Sequence, residues 1–257
     1  MLDIHPTAVV HPKAEIAADV VIGPYAVIGA DVRIGEGTWI GAHVVLEGRT
    51  TIGRGNRIFH GAVLGAVPQD LKYRGETTAV RIGDHNTIRE YATIHLACVE
   101  GESTVVGNRT LIMAYAHVAH NCRIGSGVIL ANSVHLAGHV TVFDHAIIGG
   151  VVPVHQFVRI GSYAIIGGGF RVPKDIPPFV RAGGYPLRVI GLNTVGLERH
   201  GFDEERRLVL KRAYRILYRS GLNVSQAVDR LRAEFGADDD VRTLVDFIAA
   251  SERGIQL

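Results

Sequence analysis

Disulfide staples, large aromatic side chains, excess charge and long apolar runs are all scarce in this sequence. Its 257 residues include two cysteines and one tryptophan. Cys98 and Cys122 cannot build a disulfide framework, so a stapled secreted scaffold is excluded. Acidic and basic residues nearly cancel, 25 against 27, which leaves no overall basic field to attract nucleic acid. No apolar run approaches the roughly 18 residues of a membrane span. The opening MLDIHPTAVV lacks the basic and apolar segments of a secretory leader. The expectation is a reduced, cytoplasmic protein with neither a nucleic-acid partner nor stable membrane insertion. Because 47% of the residues are hydrophobic yet only 7% are aromatic, the interior must be built from small aliphatic side chains.

Glycine is abundant, at 31 residues, and the aliphatic residues repeat with a period of six. Of the 29 positions reached in steps of six from Ile4 to Val172, 26 hold Val, Ile or Leu. The exceptions, Asp70, Glu76 and Glu100, fall in two polar stretches, 66–79 and 98–104, which read as loops extruded without changing the phase. Two positions earlier the residues are small, as in Ala26, Ala62, Ala116, Cys122 and Ala146. Cys98 shares that phase, so both cysteines are expected to pack rather than react. Six matches neither the helical period nor the strand alternation of two. It matches a hexapeptide solenoid, in which three strand-and-turn units close one triangular coil of eighteen residues, with glycine or a small polar residue relieving each turn.

The pattern stops after Val172, and KDIPPFVRAGGY (174–185) carries the Pro and Gly of a link leaving the solenoid. Helical signals follow. Asp203 begins a first helix ending before Gly221, Ser225 caps a second ending near Gly236, and Asp238 to Asp240 open a third carrying Leu244, Phe247 and Ile248. The predicted organisation is a parallel β-helix over 1–190 and an α-helical domain over 191–257.

Thirteen histidines concentrate in the later coils. Residues eighteen apart should sit nearly above one another, with strands about 4.8 Å apart. His120, Gly138 and Gln156 therefore form one column, with His117 and His135 in another. A single histidine on a solenoid turn is ordinary solvated surface. An imidazole beneath a bare glycine N–H, however, supplies the parts of base-catalysed acyl transfer.

The wording around these residues is more specific than their spacing. AYAHVAHNCRIGSGVILANSVHLAGHVTVFDHAIIGG, followed by VHQFVRIG and DIPPFV and preceded by PQDLKYRGE, resembles the UDP-N-acetylglucosamine O-acyltransferases of lipid A biosynthesis, within the hexapeptide acyltransferases. The resemblance spans essentially the whole chain. It implies a left-handed parallel β-helix, a homotrimer with sites between chains, and transfer of a 3-hydroxyacyl group from the phosphopantetheine of acyl carrier protein to the sugar 3-hydroxyl, with no further cofactor and no metal. His120 would be the general base and the Gly138 amide the oxyanion donor. Gln69, Asp70, Lys72, His117, His139, His155 and Gln156 would hold the nucleotide sugar and the acyl arm. Asn193 and Arg199 would lie near the nucleotide, and Gly168 would leave the acyl groove open for a longer chain.

Asn121 stands where Asp is frequent in that family, which weakens charge support for His120, and His200 stands where Arg is common. The first tail helix carries Arg206, Arg207, Lys211, Arg212, Arg215 and Arg219, a basic face suited to the acidic carrier protein. Three alternatives remain: another hexapeptide acyltransferase, a γ-carbonic-anhydrase-like zinc enzyme using the ligand-like spacing of His117 and His120, and a scaffold without catalysis.

Overall fold

A computed structural model describes residues 2–257. The period of six becomes strands of two to four residues, with the aliphatic hexad side chain inside the coil. Ile28, Ile40, Leu46, Ile58, Leu64, Ile94 and Ile112 are all within 1% of complete burial. The strands stack into three parallel sheets. The first runs from Asp3–Ile4 to Val180–Gly183 and adds Arg188–Leu192 antiparallel at its edge. The second runs from Val9–Val10 to Pro153–Val154, and the third from Glu15–Ile16 to Arg159–Ile160. Neighbouring strands are usually eighteen residues apart, as in Val45↔Val63. Val63↔Thr93 spans thirty and Thr93↔His117 twenty-four, so the two loops add twelve and six residues, whole multiples of the hexad, and the phase survives.

The turns differ from expectation. Many corners place large residues, not glycine or small polar ones, in the left-handed region, among them Tyr91 (φ 57°), Tyr115 (φ 61°), His139 (φ 61°) and Phe157 (φ 64°). Each such residue costs on the order of 1 kcal/mol. Stacking on the corner of the next coil offsets it: Tyr91 and Tyr115 rings lie 5.3 Å apart, and His139 and Phe157 rings 4.7 Å apart.

The stretch 174–185 does not leave the solenoid as expected. Ile176 bridges to Ile160, and Val180–Gly183 pairs in parallel with Ile165–Ile166, because Ile176 and Val180 still supply inward aliphatic side chains. Asp175, 1% exposed, accepts from the Arg159 N–H and the Ser251 hydroxyl, tying the last coil to the tail. The sheet reaches Leu192, two residues past the expected boundary. Helices α1 (Thr194–Arg199), α2 (Glu204–Arg219), α3 (Val224–Phe235) and α4 (Asp239–Ala249) follow. Asp203 and Asp238 cap α2 and α4 as expected, but α3 is capped by Asn223 in a reciprocal pair with Gln226, which leaves Ser225 inside the helix. The tail has its own core around Leu197, Leu210, Leu231 and Val241. No helix is long and apolar enough to cross a membrane.

Candidate active site

His120 and Gly138 meet at the corner between the second and third sheets, one coil apart. A Cβ built on Gly138 would lie 2.4 Å from His120 Cε1 and 2.5 Å from Nε2, so only glycine admits the imidazole here. The His139 N–H donates to the His120 carbonyl at 3.0 Å, which fixes the stacking of the two coils. Among the described residues the Gly138 N–H has no acceptor.

The two loops surround this corner and orient the imidazole. The Cys98 N–H, which can only donate, reaches Asn121 Oδ1 at 3.0 Å, and this identifies the oxygen of the Asn121 amide. The same oxygen is 2.9 Å from His120 Nδ1, so Nδ1 carries a proton, and in the neutral imidazole Nε2 is the nitrogen with the lone pair. Nε2 faces Asp70 Oδ2 at 3.7 Å. Asp70 is itself ordered by accepting the Lys72 N–H at 2.9 Å. That bond, reinforced by His120, Lys72 and His139, holds the Asp70 carboxyl below the usual carboxylate range.

On the adjoining face of the second sheet, His117 Nδ1 lies 2.7 Å from Thr93 Oγ1, with the His95 ring 4.9 Å away. Burial, then the neighbouring histidines, pushes His117 down to about 4. His139 stands edge-on to His120 at 5.2 Å and is also lowered, first by burial. His155 and Gln156 occupy the same corner one coil above Gly138. Gln69 and Lys72 are exposed on the loop.

The remaining candidates lie elsewhere in the chain. Gly168 sits at the corner between the first and second sheets, exposed, with room for a Cβ only 3.0 Å from the Gly150 carbonyl; close packing therefore also accounts for its being glycine. Asn193, Arg199 and His200 are at the corner between the third and first sheets. Asn193 caps α1 and donates to the Tyr163 carbonyl at 2.8 Å, while His200 packs against His145 and Tyr163. In one chain these groups do not converge on His120.

Cys98 departs from expectation. Cys122 is buried as foreseen, but the chain has already left the solenoid at Cys98, whose Sγ lies 3.2 Å from His120 Nδ1. Burial, then Asp70, raises its thiol. Cys98, His120 and His139 bring potential ligand atoms within 4.8 Å of one another, a spacing a soft cation could use. His117, which the zinc-enzyme alternative would pair with His120, is not part of this group; its Nδ1 is engaged by Thr93. Thr93 and Glu102 escaped the sequence reading; counting by twenty-four instead of eighteen across the loops would have found Thr93 beneath His117.

A family model described as UDP N-acetylglucosamine O-acyltransferase, domain 2, matches residues 175–256, and the bacterial transferase hexapeptide model matches 31–66 and 103–138. The acyl-[acyl-carrier-protein]–UDP-N-acetylglucosamine O-acyltransferase of Anaeromyxobacter sp. (strain Fw109-5) is 53% identical over 253 residues, 98% of each chain. Its counterpart in Myxococcus xanthus is 52% identical over 99% of each. The solved UDP-N-acetylglucosamine acyltransferase of Francisella novicida superposes with a TM-score of 0.96 at 42% identity, covering 100% of this chain and 94% of that one. The Bacteroides fragilis enzyme gives 0.95 at 45%, covering 99% and 100%. The fold is accordingly a left-handed parallel β-helix with a C-terminal helical domain.

Proposed function

The chain belongs to the UDP-N-acetylglucosamine O-acyltransferase family, and on that premise we propose that His120 is its general base and the Gly138 amide its oxyanion donor. The enzyme transfers an acyl chain from acyl carrier protein to UDP-N-acetylglucosamine, the step that begins lipid A biosynthesis. The observation that carries the residue assignment is the contact of His120 with Gly138, with Nδ1 held by Asn121 so that Nε2 is the nitrogen open to act as base.

In this reading Nε2 takes the proton of the sugar 3-hydroxyl as its oxygen attacks the thioester carbonyl, and the Gly138 N–H receives the developing oxyanion. Collapse breaks the C–S bond, and the imidazolium returns its proton to the leaving pantetheine sulfur. The ester forms with no net proton change and no cofactor beyond the donor's own arm. Asp70 stabilises the positively charged imidazole and, with Gln69, Lys72, His117, His139, His155 and Gln156, lines the path of the nucleotide sugar and the acyl arm. His117, neutral near pH 7, suits a buried contact without charge.

A homotrimer with sites between chains accounts for the dispersal of the remaining groups, since Gly168, Asn193 and Arg199 lie at other corners and could reach a His120 only across an interface. Carrier-protein docking falls on α2. Arg206 is paired with Asp240 and Arg207 with Glu198, which leaves Lys211, Arg212, Arg215 and Arg219 for an acidic partner. Two unpaired cysteines accord with a cytoplasmic setting. The zinc-enzyme alternative is disfavoured by the family. The test is incubation with UDP-N-acetylglucosamine and a ladder of acyl-carrier-protein thioesters. Mass analysis should find one acyl group esterified to the sugar, with longer 3-hydroxyacyl donors preferred; an absent or N-acylated product would refute the reading.

A further inference from the structure

We propose that Glu102 is a positioning residue for the reaction, supplying through Asn121 the negative charge that steadies His120 when it becomes an imidazolium. The inference rests on His120 being the base. Asn121 is 6% exposed and every polar atom of its side chain is engaged. Its Oδ1 accepts from the Cys98 N–H and faces His120 Nδ1, which leaves its Nδ2 to donate to Glu102 Oε2 at 2.5 Å, a close contact with a carboxylate. The Asn121 N–H donates to Thr104 Oγ1 at 2.9 Å, so the residue cannot turn without breaking this network. Glu102 makes no ion pair among the described residues and is exposed beyond that contact.

An amide cannot relay a proton between its two ends at neutral pH, so the pathway conveys polarisation and charge only. As Nε2 takes the substrate proton, the Nδ1–H bond to Asn121 strengthens, and the Nδ2–H bond to Glu102 strengthens with it. The charged or titratable groups facing His120 are Asp70 and Cys98 from the loops, His139 from the coil above, His95 and His117 from the adjoining face, and Glu102 behind Asn121. Asp70 faces Nε2, on the reacting side, so among the described residues Glu102 is the carboxylate that addresses Nδ1.

The test compares wild type, His120→Ala, Glu102→Gln, and the double variant Glu102→Gln with Asn121→Asp, in full-length protein with acyl-carrier-protein donor. Glu102→Gln keeps a hydrogen-bond acceptor for Asn121 but removes the charge. A unit charge roughly 7 Å from the imidazole in a partly solvated setting predicts a fall in kcat of about three- to tenfold, with KM unchanged and the acid limb of the kcat profile displaced to lower pH. In the double variant a carboxylate at 121 meets Nδ1 directly and the amide introduced at 102 donates to it, so kcat should return to within about twofold of wild type. A purely structural Glu102 would not be rescued by the second substitution. Wild-type turnover in Glu102→Gln, or a double variant no faster than the single one, overturns the proposal while leaving His120 in place. Full activity in His120→Ala overturns the base assignment itself, and the proposal with it.

Discussion

Replacing Gly138 by alanine should disable the enzyme without unfolding it. Gly138 does not occupy the left-handed region, so an alanine backbone is tolerated, and the three nearest atoms to the added methyl all belong to the His120 ring, at 2.4, 2.5 and 3.1 Å. Carbon atoms in favourable contact sit about 3.5–4.0 Å apart, so the imidazole must retreat by roughly 1 Å. Its Nδ1 is tethered to Asn121 at 2.9 Å, and a bond lengthened by that much is no longer a hydrogen bond. Misplacing a catalytic group by about 1 Å costs on the order of 10²-fold in rate. Steady-state transfer from acyl carrier protein to UDP-N-acetylglucosamine measures the loss, and circular dichroism and thermal melting measure folding. The double variant with His120→Ala opens the space that the methyl needs; it should melt as His120→Ala does and be no slower than it, a strong departure from additivity. Turnover of Gly138→Ala within about tenfold of wild type would refute the contact on which the site is built.

Three further outcomes are expected. His117, depressed to about 4 against an ordinary 6.5, binds its proton more readily unfolded than folded, so its linkage lowers stability as pH falls from 6.5 toward 4. His117→Gln should remove on the order of 2 kcal/mol of the stability loss between pH 6.5 and 5; denaturation curves with the same acid slope as wild type would contradict this. Gly168→Met should move donor preference toward shorter acyl chains, read from competition among carrier-protein thioesters, and an unchanged preference would remove Gly168 from the groove. Mixing His120→Ala chains with Arg199→Ala chains, refolded together, should restore activity in about a quarter of the sites if each site takes His120 from one chain and Arg199 from another; no recovery would contradict a shared site.

The repeat made the solenoid legible because each inward aliphatic residue answers to a single geometrical rule, and the loops, being multiples of six, left that rule undisturbed. His120 and Gly138 were legible for the same reason: eighteen residues is one coil. Cys98 and Glu102 were not, because the loops release their side chains from the hexad register, and only the folded loop brings Glu102 to Asn121. The weakening of charge support expected from Asn121 is thus answered by a residue with no place in the repeat. Pro178 and the paired glycines at 183 and 184 suggested an exit from the coil, but Ile176 and Val180 kept their inward places and the sheet continued. Ser225 looked like a cap by type; Asn223, two residues earlier, has Gln226 at the reciprocal position and prevails. The aromatic corners were hidden because a positive φ reads locally as glycine, while the compensating ring lies a full coil away.

The most direct measurement is single-turnover acyl transfer by His120→Ala against wild type, with the product identified by mass. General-base catalysis by His120 predicts the same O-acylated nucleotide sugar formed at least about 10²-fold more slowly, with the far-ultraviolet spectrum unchanged. A rate equal to wild type would show that the proton leaves the sugar hydroxyl by another route.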